Sequence, residues 1–323
     1  MEYVKLGSSN LKVSKLSLGA MGFGSHSWRK WVLESAQAKP VIERSLALGI
    51  NFFDTCDFYS LGESERILGD ALKGVPRHEV VIATKVGNPM HSHTNGRGYS
   101  RKHIFDAVDA SLKRLSTDYI DLYQTHIWDN STNVEELMDA FADVVRSGKV
   151  LYIGATTMPA WTFCTATHIA RQRNLPPLVS MQCEYNPCHR ESEREMIPFC
   201  RANNIAVIPF SPIARGFLSA NRQKVKTVRT ETDDYGQQLY GRPVDYRVFD
   251  AVDKVAGNRG ISSSQVALAW TLSKPGITAP IFGATDVKHV EEAVAALSVR
   301  LTAEEIQVID AAYESRPIHA SGH

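Results

Sequence analysis

Eight short apolar runs, separated by stretches with helical spacing, constrain this chain more than any other feature of its sequence. They are KLSLGAM (15–21), INFFDTC (50–56), VVIATKV (80–86), IDLYQTH (120–126), VLYIGAT (150–156), LVSMQCE (178–184), IAVIPFS (205–211) and ITAPIFG (277–283). Between them Ile104, Ala107, Val108, Ser111, Leu112 and Leu115 recur at helical period. So do Val134, Leu137, Met138, Phe141, Val144 and Val145, with Gly148 placed to end that helix. Strands that are apolar throughout, rather than at alternate positions, are buried on both faces, which implies a parallel sheet covered by helices. Eight such units close a (β/α)8 barrel. A chain of 323 residues, 43% hydrophobic, is long enough for one α/β barrel domain spanning residues 1–323.

A doubly wound sheet is the other home of such alternation, but its dinucleotide fingerprint is GxGxxG at the first strand-to-helix turn. Here that turn reads Gly19-Ala20-Met21-Gly22-Phe23-Gly24, with the wrong glycine spacing. Ahead of the first run, YVKLGSSNLKVS reads as a β-hairpin turning around Gly7 to Asn10, a small lid or plug. The longest polar departure, 219–245, follows the seventh run, where a long βα loop would arch over the barrel mouth.

Charge and cysteine usage exclude several classes. Lys and Arg number 36 against 35 Asp and Glu, so no long-range field favours nucleic acid or an anionic membrane. No apolar stretch approaches ~18 residues and no secretory leader pattern opens the chain. Five cysteines without a CxxC pair argue against a disulfide framework or zinc cage, and a reducing, cytoplasmic setting is expected. No metal ion is expected, and the sequence does not fix an oligomeric state.

In a barrel the chemistry sits at the C-terminal strand ends. There the sequence places Asp54 and, a step beyond, Tyr59; then Lys85 and His126 on the next two runs. Neighbouring strands lie ~4.8 Å apart, so these four side chains can meet. Taken singly, each has commonplace structural uses; together they share a chemical one. A carbonyl reduced by hydride gains negative charge on oxygen, and a phenol can protonate it if a cation stabilises the phenolate. Lys85 supplies that cation, Asp54 holds the lysine charged, and His126 orients the substrate oxygen.

The segments GINFFDTCDFYSLGESERILGDAL, IATKVG, LYQTH, YIGATTM, SMQCEYN, VIPFSPIARG and PIFGATDVKHVEE, in that order, resemble the aldo-keto reductases over essentially the whole chain. Within that family they look most like bacterial oxidoreductases and fungal aryl-alcohol dehydrogenase-like members. The resemblance implies that Asp54, Tyr59, Lys85 and His126 are a catalytic tetrad. It also implies a nicotinamide cofactor across the barrel mouth near Ala20, Met21 and Asp54, its carboxamide on Thr156, Thr157 and Gln182 and its ring stacked on Phe210. Ser211, Pro212, Ile213, Ala214, Arg215 and Gly216 would wrap the pyrophosphate, and Gly283, Thr285, His289 and Glu292 the adenosine end.

Many NADPH-preferring relatives place a Lys-Ser pair and an Arg around the 2′-phosphate, where this chain has Gly283, Ala284 and His289. Lys288, or Arg222, Lys224, Lys226 and Arg229 of the long loop, would have to supply the charge. NADPH is the expected cofactor, with NADH the alternative. Trp28, Phe58, Met90 and Trp128 are expected to wall a pocket for an aromatic or bulky small-molecule carbonyl. Two other functions fit less of the sequence: a regulatory nicotinamide-binding module of a larger complex, and a barrel hydrolase with Asp54, Asp57 and His126 as metal ligands.

Overall fold

The computed structural model describes residues 1–219 and 228–315. Among the described residues ten strands are formed: β1 (Tyr3–Lys5), β2 (Lys12–Ser14), β3 (Ser17–Gly19), β4 (Phe52–Asp54), β5 (Val81–Val86), β6 (Ile120–Thr125), β7 (Val150–Thr156), β8 (Leu178–Gln182), β9 (Ala206–Val207) and β10 (Ile281–Gly283). Every apolar run contains one barrel strand. The parallel sheet runs β10-β3-β4-β5-β6-β7-β8-β9. Its two edges meet: Thr278 N donates to Val207 O and Ile281 N to Pro209 O, each at 2.8 Å. β9 is brief because Pro209 has no N–H to give to a ladder.

Helices α1 (Ser35–Ala47), α2 (Glu63–Ala71), α3 (Arg101–Leu115), α4 (Val134–Arg146), α5 (Ala160–Gln172) and α6 (Met196–Ala202) follow β3 to β8 in turn. After β9 come α7 (Val228–Thr232), α8 (Asp234–Leu239), α9 (Pro243–Arg259) and α10 (Ser263–Ser273); after β10, α11 (Val287–Ala296) and α12 (Ala303–Ala311). Side-chain caps fix several starts: Ser100 accepts from His103 N and Asn133 from Glu135 N and Glu136 N. None of the described helices is long and apolar enough to cross a membrane.

Two apolar layers explain the continuous runs. Phe52, Ala83, Leu122 and Val179 pack in one cluster, while their chain neighbours Phe53, Ile82, Tyr123 and Leu178 pack with the helices in another. Leu6 and Val13 of the β1–β2 hairpin join the first cluster, so the hairpin plugs the barrel. Gly7 makes the plug fit: its φ is +57°, and a Cβ there would strike the Val179 carbonyl and the Ala206 amide. The plug covers one end, leaving the C-terminal strand ends as the mouth.

Candidate active site

Register brings the candidate side chains to the mouth. Asp54 ends β4 opposite Ala83, and Lys85, two residues further along β5, lies opposite Gln124 of β6. Lys85 is fully buried. Its Nζ is 2.5 Å from Asp54 Oδ1, 2.8 Å from Thr55 O and 3.4 Å from Tyr59 Oη, one acceptor for each ammonium proton. Asp54 Oδ2 accepts from Gln182 Nε2 at 2.9 Å and Gln124 Nε2 at 3.2 Å. Because an ammonium only donates, the Tyr59 oxygen is the acceptor of the lysine contact and its own O–H is left to donate elsewhere.

Electrostatics set the protonation states. Burial pushes Lys85 down, but Asp54 and Tyr59 outweigh it, so the lysine stays charged. Tyr59 is pushed up to about 12: burial raises it and Lys85 pulls it only partly back. The sequence expectation that Lys85 favours the phenolate has the right sign, yet desolvation is the larger effect, and the phenol keeps its proton at neutral pH.

Tyr59 opens a tight turn in which Ser60 and Leu61 both have φ of 52°. Such left-handed backbone is costly for residues with a Cβ. Ser60 Oγ holds it in place by accepting from Ser25 N at 2.9 Å. The His126 ring meets the Tyr59 ring edge-on, centroids 5.6 Å apart. His126 N donates to Val86 O (2.9 Å) and Tyr99 Oη (3.1 Å), and Tyr99 Oη donates to Ile127 O at 2.6 Å. Its Nδ1 contacts Asn88 Nδ2 and lies 3.1 Å from Cys56 Sγ. Burial and then Lys85 depress His126 to about 3, so the imidazole is neutral.

The expected pocket residues divide. Trp28 meets Phe58 edge-on and tilts over Tyr59, each at 6.4 Å, whereas Trp128 stacks on Tyr99 at 6.0 Å. Met90 lines a cavity of ≈ 170 Å³ beside α3, together with Asp57, His91 and His103. The Asp54, Asp57 and His126 set does not converge, since Asp54 is engaged by Lys85, Gln124 and Gln182. Among the described residues no group of three or more His, Cys, Asp or Glu is arranged to hold a metal ion.

Beyond β7 and β9 the backbone is again left-handed at Thr157 (φ 47°), Ser211 (55°), Ala214 (50°) and Arg215 (56°). The other such non-glycine residues among those described, Ser116, Asn174 and Asn204, end helices. Thr157 N donates to Gln182 O at 3.1 Å, and Asn186 Nδ2 to Ser211 O at 3.0 Å. Phe210 bridges Glu184 and Ile281. Arg215 donates to both oxygens of Asp233, and Arg229, also on Asp233, lies 4.3 Å over the Trp31 ring. Ala20 is buried and Met21 half-buried in the turn after β3. Gly283 ends β10 with open space on its Cβ side. Thr285 N donates to His289 Nδ1 at 3.3 Å, and Glu292 accepts from Ser262 Oγ at 3.4 Å. Arg222, Lys224 and Lys226 lie outside the described residues.

Residues 15–314 match the sequence model of the Aldo/keto reductase family. The chain belongs to that family. It is 44% identical over 342 aligned positions to the versiconal hemiacetal acetate reductase of Aspergillus parasiticus, covering 99% of each chain. It is 38% identical to the aldo-keto reductase dtxS3 of Metarhizium robertsii, over 100% of this chain and 93% of that one. A putative aryl-alcohol dehydrogenase of Schizosaccharomyces pombe, C977.14c, is 36% identical over 98% and 97%. These relatives stand on the fungal, aryl-alcohol dehydrogenase-like side of the resemblance. The protein is an aldo-keto reductase-type oxidoreductase acting on carbonyl groups, in a family that binds a nicotinamide cofactor.

The mouth suits that cofactor. Thr156 Oγ1 is buried at the end of β7 without a partner, a hydroxyl in place for a carboxamide. Gln182 is less free than the sequence suggests, because its amide nitrogen is given to Asp54. Four participants escape sequence reasoning: Gln124, Cys56, Asn88 and Tyr99. Gln124 and Cys56 each lie two residues from a candidate, His126 and Asp54, the strand spacing that returns side chains to one face. Asn88 and Tyr99 carry no such signal.

Proposed function

We propose that this protein is an NADPH-dependent reductase of aldehydes or ketones, with Tyr59 as the general acid. The observation that carries the reading is the single Lys85 ammonium shared by Asp54 and Tyr59, a buried cation placed against the one oxygen that must lose a proton. When bound, the nicotinamide supplies the hydride. Tyr59 passes its O–H proton to the carbonyl oxygen, and Lys85 stabilises the phenolate that forms. Asp54 keeps Lys85 charged throughout. His126, neutral and beside Tyr59, donates a second hydrogen bond to the same oxygen and sets its direction.

Thr156, Thr157 and Gln182 hold the carboxamide, and Phe210 lies against the ring. Residues 211–216 receive the pyrophosphate through their backbone N–H groups, with Arg215 adding a cation, while Gly283, Thr285, His289 and Glu292 line the adenosine end. Trp28, tilted over Tyr59, and Phe58, edge-on to Trp28, favour an aromatic or bulky carbonyl, in keeping with the hemiacetal and aryl-alcohol names borne by relatives. Trp28 reports binding, so tryptophan fluorescence is titrated with NADPH and, separately, NADH. Stronger quenching by NADPH is expected; if neither dinucleotide binds, the reading falls.

A further inference from the structure

Two side chains converge on one atom of His126. Asn88 Nδ2 contacts Nδ1, and Cys56 Sγ lies 3.1 Å from it. In this orientation Asn88 turns its amide nitrogen, which can only donate, to the ring, and the ring nitrogen beside it is the acceptor. The Cys56 thiol has one proton and two neighbours, Nδ1 and Asp57 Oδ1 at 3.2 Å. Given to Nδ1, that proton adds a second donor to the same lone pair. Given to Asp57, it leaves Asn88 to act alone. In neither arrangement does Nδ1 carry a hydrogen, since an Nδ1–H aimed at sulfur would face the Asn88 N–H as well.

A neutral imidazole has a single N–H, and a filled acceptor role at Nδ1 sends it to Nε2. Burial and the Lys85 charge keep His126 neutral, which removes the doubly protonated form from consideration. We propose that Asn88, assisted by the Cys56 thiol, is a positioning residue that locks His126 in the Nε2–H form, so that the ring presents a donor and not a lone pair to the substrate oxygen. The inference rests on the reading of His126 as the partner of the carbonyl. With the opposite tautomer an imidazole lone pair would face the oxygen on which negative charge develops.

The test reads the tautomer directly. Imidazole nitrogen NMR shifts of the full-length protein, with the His126 signals assigned by their loss in His126→Gln, are recorded at neutral pH. Nε2 protonated and Nδ1 bare is the expected result; a protonated Nδ1 overturns the proposal. Asn88→Leu keeps the bulk and removes the donor. It should bring up a measurable Nδ1–H population and lower kcat about tenfold, with the dissociation constant of NADPH within about twofold. An unchanged tautomer and unchanged kcat would also overturn it, and Asn88→Ala provides the same comparison should Leu not be accommodated. Full turnover by His126→Gln is a different outcome: it removes the catalytic reading of His126, while the tautomer assignment stands or falls on the spectrum alone.

Discussion

Gln182, at the end of β8, donates its side-chain amide to Asp54 Oδ2, at the end of β4, over 2.9 Å. β8 and β4 are not neighbours in the sheet, so the bond spans the barrel interior and joins the end of β8 to the Asp54–Lys85 pair. With Gln124 on the same oxygen and Lys85 on the other, Asp54 is a fixed anion to which the lysine is fitted.

Asp54→Asn tests that role. It leaves Lys85 fully buried without its counter-charge, and breaking a buried pair on one side costs ~3–5 kcal/mol. The expected outcome is a lower urea midpoint together with reduced kcat, measured on the same preparation. A variant as stable and as active as the parent would mean that Thr55 O and Tyr59 suffice to hold the ammonium.

Tyr59→Phe separates chemistry from binding. The substitution removes the phenol proton, which Tyr59 directs away from Lys85, so kcat should fall ~10²–10⁴-fold, the usual range for a general acid. Fluorescence titration should find the NADPH dissociation constant within about twofold of the parent, because the hydroxyl holds no part of the dinucleotide in the proposed arrangement. Normal turnover would transfer the acid role to another group.

Asp57 predicts a pH dependence of stability. It is fully buried, with Oδ2 unpartnered, and burial followed by the Glu65 charge raises its carboxyl from 3.8 to about 7. Between those values the folded protein retains a proton that the unfolded chain has lost, so stability falls as pH rises from about 4 to about 7 and then levels. A rise of that size corresponds to at most ~4 kcal/mol. Asp57→Asn, which still offers an oxygen to the Cys56 thiol, should flatten the change in urea midpoint between pH 5 and pH 8. Parallel profiles for the two proteins would show that Asp57 does not titrate in that window.

The barrel was legible because burial on both faces of a parallel sheet writes itself as uninterrupted apolar runs, and all eight runs contain a strand. That Asp54, Tyr59, Lys85 and His126 come together was legible because all four fall at or just beyond the ends of neighbouring strands, where polar side chains have no packing reason to stand. What positions them was not. Asn88 and Tyr99 reach His126 from the loop after β5, across a turn at Gly87 whose φ of +132° no side-chain pattern announces. The partner of Arg215 was not legible either: Asp233, eighteen residues on, accepts from it, a pairing that spacing does not announce. The balance at Tyr59 was also hidden, since it depends on how much water the mouth excludes, which only the packed structure fixes.

Behind the site, Glu65 of α2 is fully buried between Arg114 Nε at 2.5 Å and Thr84 Oγ1 at 2.6 Å. Thr84 precedes Lys85 on β5, so this group fastens α2 and α3 to the strand that carries the lysine. Arg114→Leu would strand a carboxylate in the core, next to Asp57, which it already repels. A loss of ~3–5 kcal/mol in unfolding free energy is expected for the single change. Glu65→Leu combined with Arg114→Leu removes both charges and leaves Thr84 only one unmet hydroxyl, so the double variant should be more stable than Arg114→Leu. Urea unfolding of the two variants decides the matter: equal losses would mean that Arg114 acts by filling space and not by compensating Glu65.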